Sequence, residues 1–197
     1  MAGVVASRVF ESGCRYWLNG GAEHRTLNLI DSSLIGSDMA IEEGDKLPDV
    51  TMHTMRDGRP TPVTTAELFD GKKVVVFAVP GAFTPTCSQS HLPGYVVNAD
   101  AIRSKGVDDI VCISVNDAFV MGAWGDDRNA EAITMVGDGN GDFTKALGLE
   151  MDGSGFGLGT RSQRYAMIVD DGVVSNLSVE DPGQFEVSKA EAILEAL

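Results

Sequence analysis

The chain has 197 residues, 43% of them hydrophobic, and its 29 acidic against 15 basic residues leave a formal net charge of −14. That length suits one domain with a sizeable core, and so large an acidic surplus excludes nucleic acid as a partner, because phosphate binding needs clustered Lys and Arg. No apolar run reaches the length that crosses a bilayer, and three cysteines without a C-x-x-C pair form no disulfide framework, which points to a reducing compartment.

Residues 1–38 read as an extension outside the folded domain, either poorly ordered or a targeting segment. Arg8, Arg15 and Arg25 are interleaved with Glu11, Glu23, Asp31 and Asp38, and there is no apolar core for a secretory signal. Organellar transit peptides avoid acidic residues. The expectation is a cytoplasmic protein, with mitochondrion or plastid as the alternative if residues 1–38 are a transit peptide. Cys14 is then an incidental exposed thiol, and the domain proper spans 39–197.

From Asp49 the pattern is regular. Runs 49–55 and 60–63 flank Asp57-Gly58, a strong hairpin signal. A short helix over 65–69 stops near Gly71, and the unbroken apolar run Val74 to Val79 reads as a strand buried on both faces. A long helix follows over about 84–104, bent around Pro93-Gly94. Then come a strand at 110–115, a helix at 117–129, a strand at 133–136 and a short helix at 143–147. A hairpin of 165–169 and 173–177 turns at Asp170-Asp171-Gly172, and an amphipathic helix closes the chain over 188–197. Strands alternating with helices and ending in a hairpin imply an α/β fold, its sheet parallel in part and antiparallel at one side.

The stretch Val74 to Tyr95 organises the rest. Its strand breaks at Pro80-Gly81 and restarts at Thr84-Pro85, where a Thr hydroxyl can cap a helix that has Pro at its first position. Counted so, Cys87 is the third helical residue, among free amides at the positive end of the helix dipole, where a thiolate is favoured. Thr84 lies on the same helix face one turn earlier. The amides of 82–87 would face negative charge developing on a leaving oxygen.

Pro80, Thr84 and Cys87 match the P-x-x-x-T-x-x-C motif of peroxiredoxins. The wider string PGAFTPTCSQSHLPGY resembles the type II (peroxiredoxin-5-like) subfamily, as do Cys112 to Phe119, Trp124, Leu147-Gly-Leu149 and Gly159-Thr-Arg161 through Asp171-Gly172. The resemblance covers Met39 to Leu197 in one register. It implies a thioredoxin-like fold, with a central mixed sheet flanked by helices and an N-terminal hairpin extension. It also implies a thiol peroxidase that reduces hydrogen peroxide and alkyl hydroperoxides through a sulfenic acid. Thioredoxin, glutaredoxin or glutathione would restore the thiol, and no metal, haem or flavin cofactor is needed. Cys87 is then the peroxidatic nucleophile and Pro80 shapes and shields the site. Arg164, just before Tyr165, matches the family's cation, with Arg161 a weaker candidate.

Plainer readings stand beside these. Arg164 could close a surface ion pair. His91, four residues after Cys87, could tune the thiol, but a partly exposed helical histidine is the expectation. Phe83, Phe119 and Trp124 could be core; the resemblance assigns their positions to a homodimer face near the active site. Cys112, inside the apolar run 110–115, reads as a quiet buried residue by pattern, whereas the resemblance makes it a candidate resolving cysteine. Either Cys112 resolves or an external thiol does.

Other signals dissolve. Asp138-Gly-Asn140-Gly-Asp142 begins like a calcium loop, but Phe143 and Leu149 occupy the positions that need Gly and Glu. Cys and His spacings offer no zinc site. A disulfide reductase is disfavoured because Cys87-Ser-Gln-Ser90 lacks a second cysteine, while a redox-sensing interaction role would use the same Cys87.

Overall fold

The computed structural model describes residues 40–197, so the expectations for 1–38, including Cys14, lie outside the described residues. Among those described, β1 (Thr51–Arg56), β2 (Arg59–Thr64), β3 (Lys73–Ala78), β4 (Asp109–Ser114), β5 (Thr134–Gly137), β8 (Tyr165–Asp170) and β9 (Val173–Val179) form one sheet. Its order is β2-β1-β5-β4-β3-β8-β9. The pairs β3–β4 and β4–β5 are parallel and the outer pairs antiparallel. A short ribbon, β6 (Glu150–Asp152) with β7 (Thr160–Ser162), stands apart; glycines and polar residues hide it in the sequence.

The two apolar runs make the centre. Every residue of β3 and β4 after the first is buried, because helices cover both faces of the sheet. Period-two alternation splits them. Val75, Phe77, Cys112 and Ala166 face α2 (Leu92–Ser104), α3 (Ala118–Asp127) and α5 (Ala190–Ala196). Val74, Val76, Ile113 and Met167 face α1 (Thr65–Phe69) and α4 (Asp142–Ala146). Each fully buried Val or Phe contributes about 1.5–3 kcal/mol, so this two-sided core holds the strand that carries the site.

The hairpins form as expected. Asp57 and Gly58 have φ of 51° and 72°, and Asp171 and Gly172 have 48° and 77°. Two successive left-handed residues match the twist of antiparallel strands. The first hairpin joins the sheet by pairing β1 with β5.

The helix after β3 departs from expectation. Pro93 sits at the start of α2, and the irregularity lies just upstream as a π-helical turn over Cys87–His91, with the Leu92 amide bonded to the Cys87 carbonyl. Pro93 has no N–H to offer the carbonyl of Gln89, so the regular ladder is released there. The expected proline bend is replaced by a widened turn carrying the cysteine. No helix among the described residues is long and apolar enough to cross a membrane.

Candidate active site

The loop leaving β3 is tightly built. The Val79 amide continues the β3–β4 pairing to the Ile113 carbonyl. The Ala82 amide donates to Asn116 Oδ1 (3.0 Å), which also accepts from the Ser114 hydroxyl (2.8 Å). Phe83 is held at φ 60°, an unusual conformation for a bulky residue and one that clusters at functional sites. A Cβ on Gly81 would come within 3.2 Å of both Arg161 Nη1 and Thr84 Cγ2, so glycine lets the loop close on both side chains.

Thr84 occupies the position before the first helical residue, Pro85, as expected, but its hydroxyl does not cap the helix. Its hydroxyl donates to the Gly81 carbonyl (2.8 Å) while its own carbonyl accepts from the Ser88 amide (3.0 Å). Of the amides expected to face a leaving oxygen, that of Ala82 is already engaged by Asn116 and that of Thr84 by the Gly81 carbonyl.

Cys87 is fully buried and unpaired. Arg164 Nη2 donates to its sulfur at 3.4 Å, and Arg164 Nη1 lies 2.9 Å from His91 Nδ1. The guanidinium thus bridges a thiol and an imidazole, using its fixed fork of donors. Arg161 serves another purpose: its Nε donates to the Leu158 carbonyl (2.9 Å) and its Nη1 reaches the Pro80 carbonyl (3.5 Å). It ties the glycine-rich loop to the cysteine loop.

His91 overturns the expectation of a partly exposed residue. It has no exposed surface, lies between Phe77 (centroids 5.0 Å apart) and Phe185 (5.0 Å), and its Nε2 is 3.1 Å from the Ser188 carbonyl. A carbonyl only accepts and a guanidinium only donates, so the proton is on Nε2 and Nδ1 is bare. Burial, with the Arg164 charge beside it, pushes the His91 pKa down to about 3 against the pull of Ser188. The ring is neutral at physiological pH.

Trp124 is likewise corrected. It is fully buried, and its Nε1 donates to the Ser88 hydroxyl at 3.0 Å, so it supports the cysteine turn from below instead of presenting a surface. Phe83 and Phe119 are 52% and 60% exposed, leaving them free to form a face. Cys112 sits between Phe77 and Met135 in adjoining strands and shares the Cys87 side of the core. Burial, and then the neighbouring Cys87, push its thiol well above the ordinary range.

A cleft of about 460 Å³ opens beside Arg164, walled by Pro80, Thr86, Met151, Phe156 and Pro182 among others. A larger groove of about 700 Å³ between the first hairpin and α3 contains neither Cys87 nor Arg164. Among the described residues no group of three or more His, Cys, Asp or Glu is placed to hold a metal.

A buried cysteine on the first helical turn after a central strand, under an arginine, on a thioredoxin-like sheet, is the arrangement of a thiol-based redox protein. Residues 42–194 match the Redoxin family. The chain is 53% identical over 163 residues to peroxiredoxin-2E-2, chloroplastic, of Oryza sativa subsp. japonica, covering 80% of this chain and 72% of the relative. It is 48% identical over 162 residues to hybrid peroxiredoxin hyPrx5 of Haemophilus influenzae, covering 81% and 67%. Among solved structures, reduced Prx3 of Vibrio vulnificus in complex with H2O2 is 60% identical, with a TM-score of 0.77 over 79% of this chain and 98% of that one. The chain belongs to the Redoxin family and is a type II peroxiredoxin, a thiol-dependent peroxidase of antioxidant defence.

Proposed function

We propose that Cys87 is the peroxidatic nucleophile and that Arg164, Thr84 and Pro80 complete its site. The observation that carries this reading is the Arg164 donor 3.4 Å from the Cys87 sulfur. A guanidinium there stabilises a thiolate and has further N–H groups for a peroxide oxygen. The thiolate attacks the outer oxygen of hydrogen peroxide or an alkyl hydroperoxide. An S–O bond forms, the O–O bond breaks, and the departing oxygen takes a proton to leave as water or alcohol. The Thr84 hydroxyl, donating to Gly81, keeps its lone pairs to accept the peroxide O–H. Pro80, in the wall of the cleft, limits water around the sulfur.

For the second half we propose an external resolving thiol. Cys112 is fully buried in the central strand, paired on both sides, and its thiol is held protonated. A neutral thiol is a poor nucleophile. Glutathione, alone or through glutaredoxin, would attack the sulfenic acid and release water, and a second thiol would reduce the mixed disulfide. Thioredoxin is the alternative if the chain opens. The exposed Phe83 and Phe119 supply an apolar face for a homodimer. We infer a reducing compartment for the protein, the cytoplasm, or a plastid or mitochondrion if residues 1–38 are a transit peptide; two of its relatives are chloroplastic.

Stopped-flow mixing of the reduced protein with peroxide, with no added reductant, tests the reading. It should consume about one equivalent of peroxide per Cys87 in a fast burst, and Cys87→Ser should abolish the burst while folding normally. A burst retained in Cys87→Ser overturns the assignment.

A further inference from the structure

Residues 180–189, between β9 and α5, belong to no strand or helix, yet they touch both Arg164, which reaches the cysteine, and His91, which Arg164 also contacts. The Phe185 ring lies edge-on to His91 at 5.0 Å and 5.6 Å from the Arg164 guanidinium. The Ser188 carbonyl accepts from His91 Nε2 (3.1 Å) and from the Tyr95 hydroxyl (2.9 Å). A loop has no ladder of its own to fix a carbonyl so closely.

Glu180 supplies what is missing. Its amide donates to the Arg164 carbonyl (2.9 Å), extending the β8–β9 pairing one residue beyond Tyr165 and Val179. Arg164 and Glu180 therefore stand opposite each other at the open end of one hairpin. From that anchor the carboxylate turns into the loop, where Oε1 accepts from the Glu186 amide (2.7 Å), the Ser188 amide (2.8 Å) and the Ser188 hydroxyl (2.8 Å). Glu180 is only 7% exposed, so these donors stand in for water. Burial raises its pKa, but the hydrogen bonds from Ser188, Glu186 and Val187 outweigh burial and leave it below the usual carboxylate range. The group is ionised at neutral pH.

We propose that Glu180 is a positioning residue for the peroxidatic site: it folds 181–188 so that the Ser188 carbonyl holds His91 as the Nε2–H form, whose bare Nδ1 holds Arg164 on Cys87. The charge never reaches the sulfur directly. It acts through Ser188, His91 and Arg164 in turn, and each link is a hydrogen bond with one allowed direction. The proposal rests on the role given to Arg164 above.

The test is the rate of the first oxidation in a double-mutant cycle of Glu180→Gln and Arg164→Ala. Glu180→Gln alone should slow oxidation about ten-fold, as expected for a slightly misplaced catalytic contact. On the Arg164→Ala background it should cost nothing further. Nitrogen NMR of the His91 ring should show one Nε2–H tautomer in the wild type and a mixture in Glu180→Gln. Ser188→Ala, which removes one donor to Glu180 but keeps the carbonyl, should lie between, and it replaces Glu180→Gln in the cycle if that variant does not fold. A wild-type rate for folded Glu180→Gln, with Arg164→Ala slow, overturns this proposal alone. So does the same ten-fold loss on both backgrounds, the mark of general support for the fold. A wild-type rate for Arg164→Ala overturns the Arg164 reading and this proposal with it.

Discussion

Arg164 reaches the sulfur of Cys87 across 77 residues of chain, and the same guanidinium rests on His91. The pairing depends on β8 lying antiparallel to β3, with Tyr165 opposite Ala78, so that the residue before one strand meets the loop after the other.

Arg164→Ala should slow the first oxidation step by about a hundred-fold, the usual scale for losing a charged donor at a reacting centre. Arg161→Ala, which loses contacts to Leu158 and Pro80 but none to the sulfur, should change the rate only a few-fold. A wild-type oxidation rate in Arg164→Ala would refute the role of the contact.

Cys112→Ser should leave the oxidation burst intact and turnover with glutathione and glutaredoxin near normal. It should cost about 1–3 kcal/mol of stability, because a hydroxyl replaces a thiol in an apolar strand centre. Loss of turnover with every reductant, accompanied by a Cys87–Cys112 link in the wild-type peptide map, would instead make Cys112 the resolving thiol.

Stability should fall on acidification between about pH 6.5 and the His91 pKa of about 3. In that window the unfolded chain binds a proton at His91 that the folded chain does not, so stability rises with pH and is lost as pH drops. One and a half pH units into the window is worth roughly 2 kcal/mol. Denaturant midpoints at pH 7 and pH 5 measure it, and His91→Asn should flatten the slope there. An unchanged slope would mean that His91 is not buried neutral.

Trp124 should report on the cysteine turn. Its indole N–H is bonded to Ser88, inside the π-helical turn, so an unwinding of that turn on oxidation would break the bond and expose the ring. In a Trp17→Phe background, emission should shift after the oxidation step and return on reduction. No shift in a protein proven oxidised would show that the turn stays closed.

Phe119→Glu should convert a dimer to a monomer in sedimentation velocity, because a charge in an apolar contact is costly, and Phe83→Glu should act alike. A Phe119→Glu species with the wild-type sedimentation coefficient would exclude this face.

Local chain alone dictated a good deal. The runs in β3 and β4 are apolar without alternation, which only a strand covered on both faces tolerates. Asp57-Gly58 and Asp171-Gly172 prescribe their turns because few other pairs accept two left-handed residues. Pro80, Thr84 and Cys87 fall within eight positions, so their loop-and-helix setting could be read directly, and with it the class of chemistry. Beyond that span, pattern was silent or misleading. Helical spacing puts His91 on the Cys87 side but cannot say what covers that side, and Phe185 and Ser188 seal it from 94 and 97 positions away. Trp124 looks like an interface aromatic until Ser88 claims its N–H. Arg164 is reachable through family resemblance and not through spacing, and nothing in the spacing singles out Glu180. Each of these residues takes its protonation, burial and direction from partners brought near by sheet order. Such contacts leave no period in the sequence, because their spacing is set by the lengths of the elements between them.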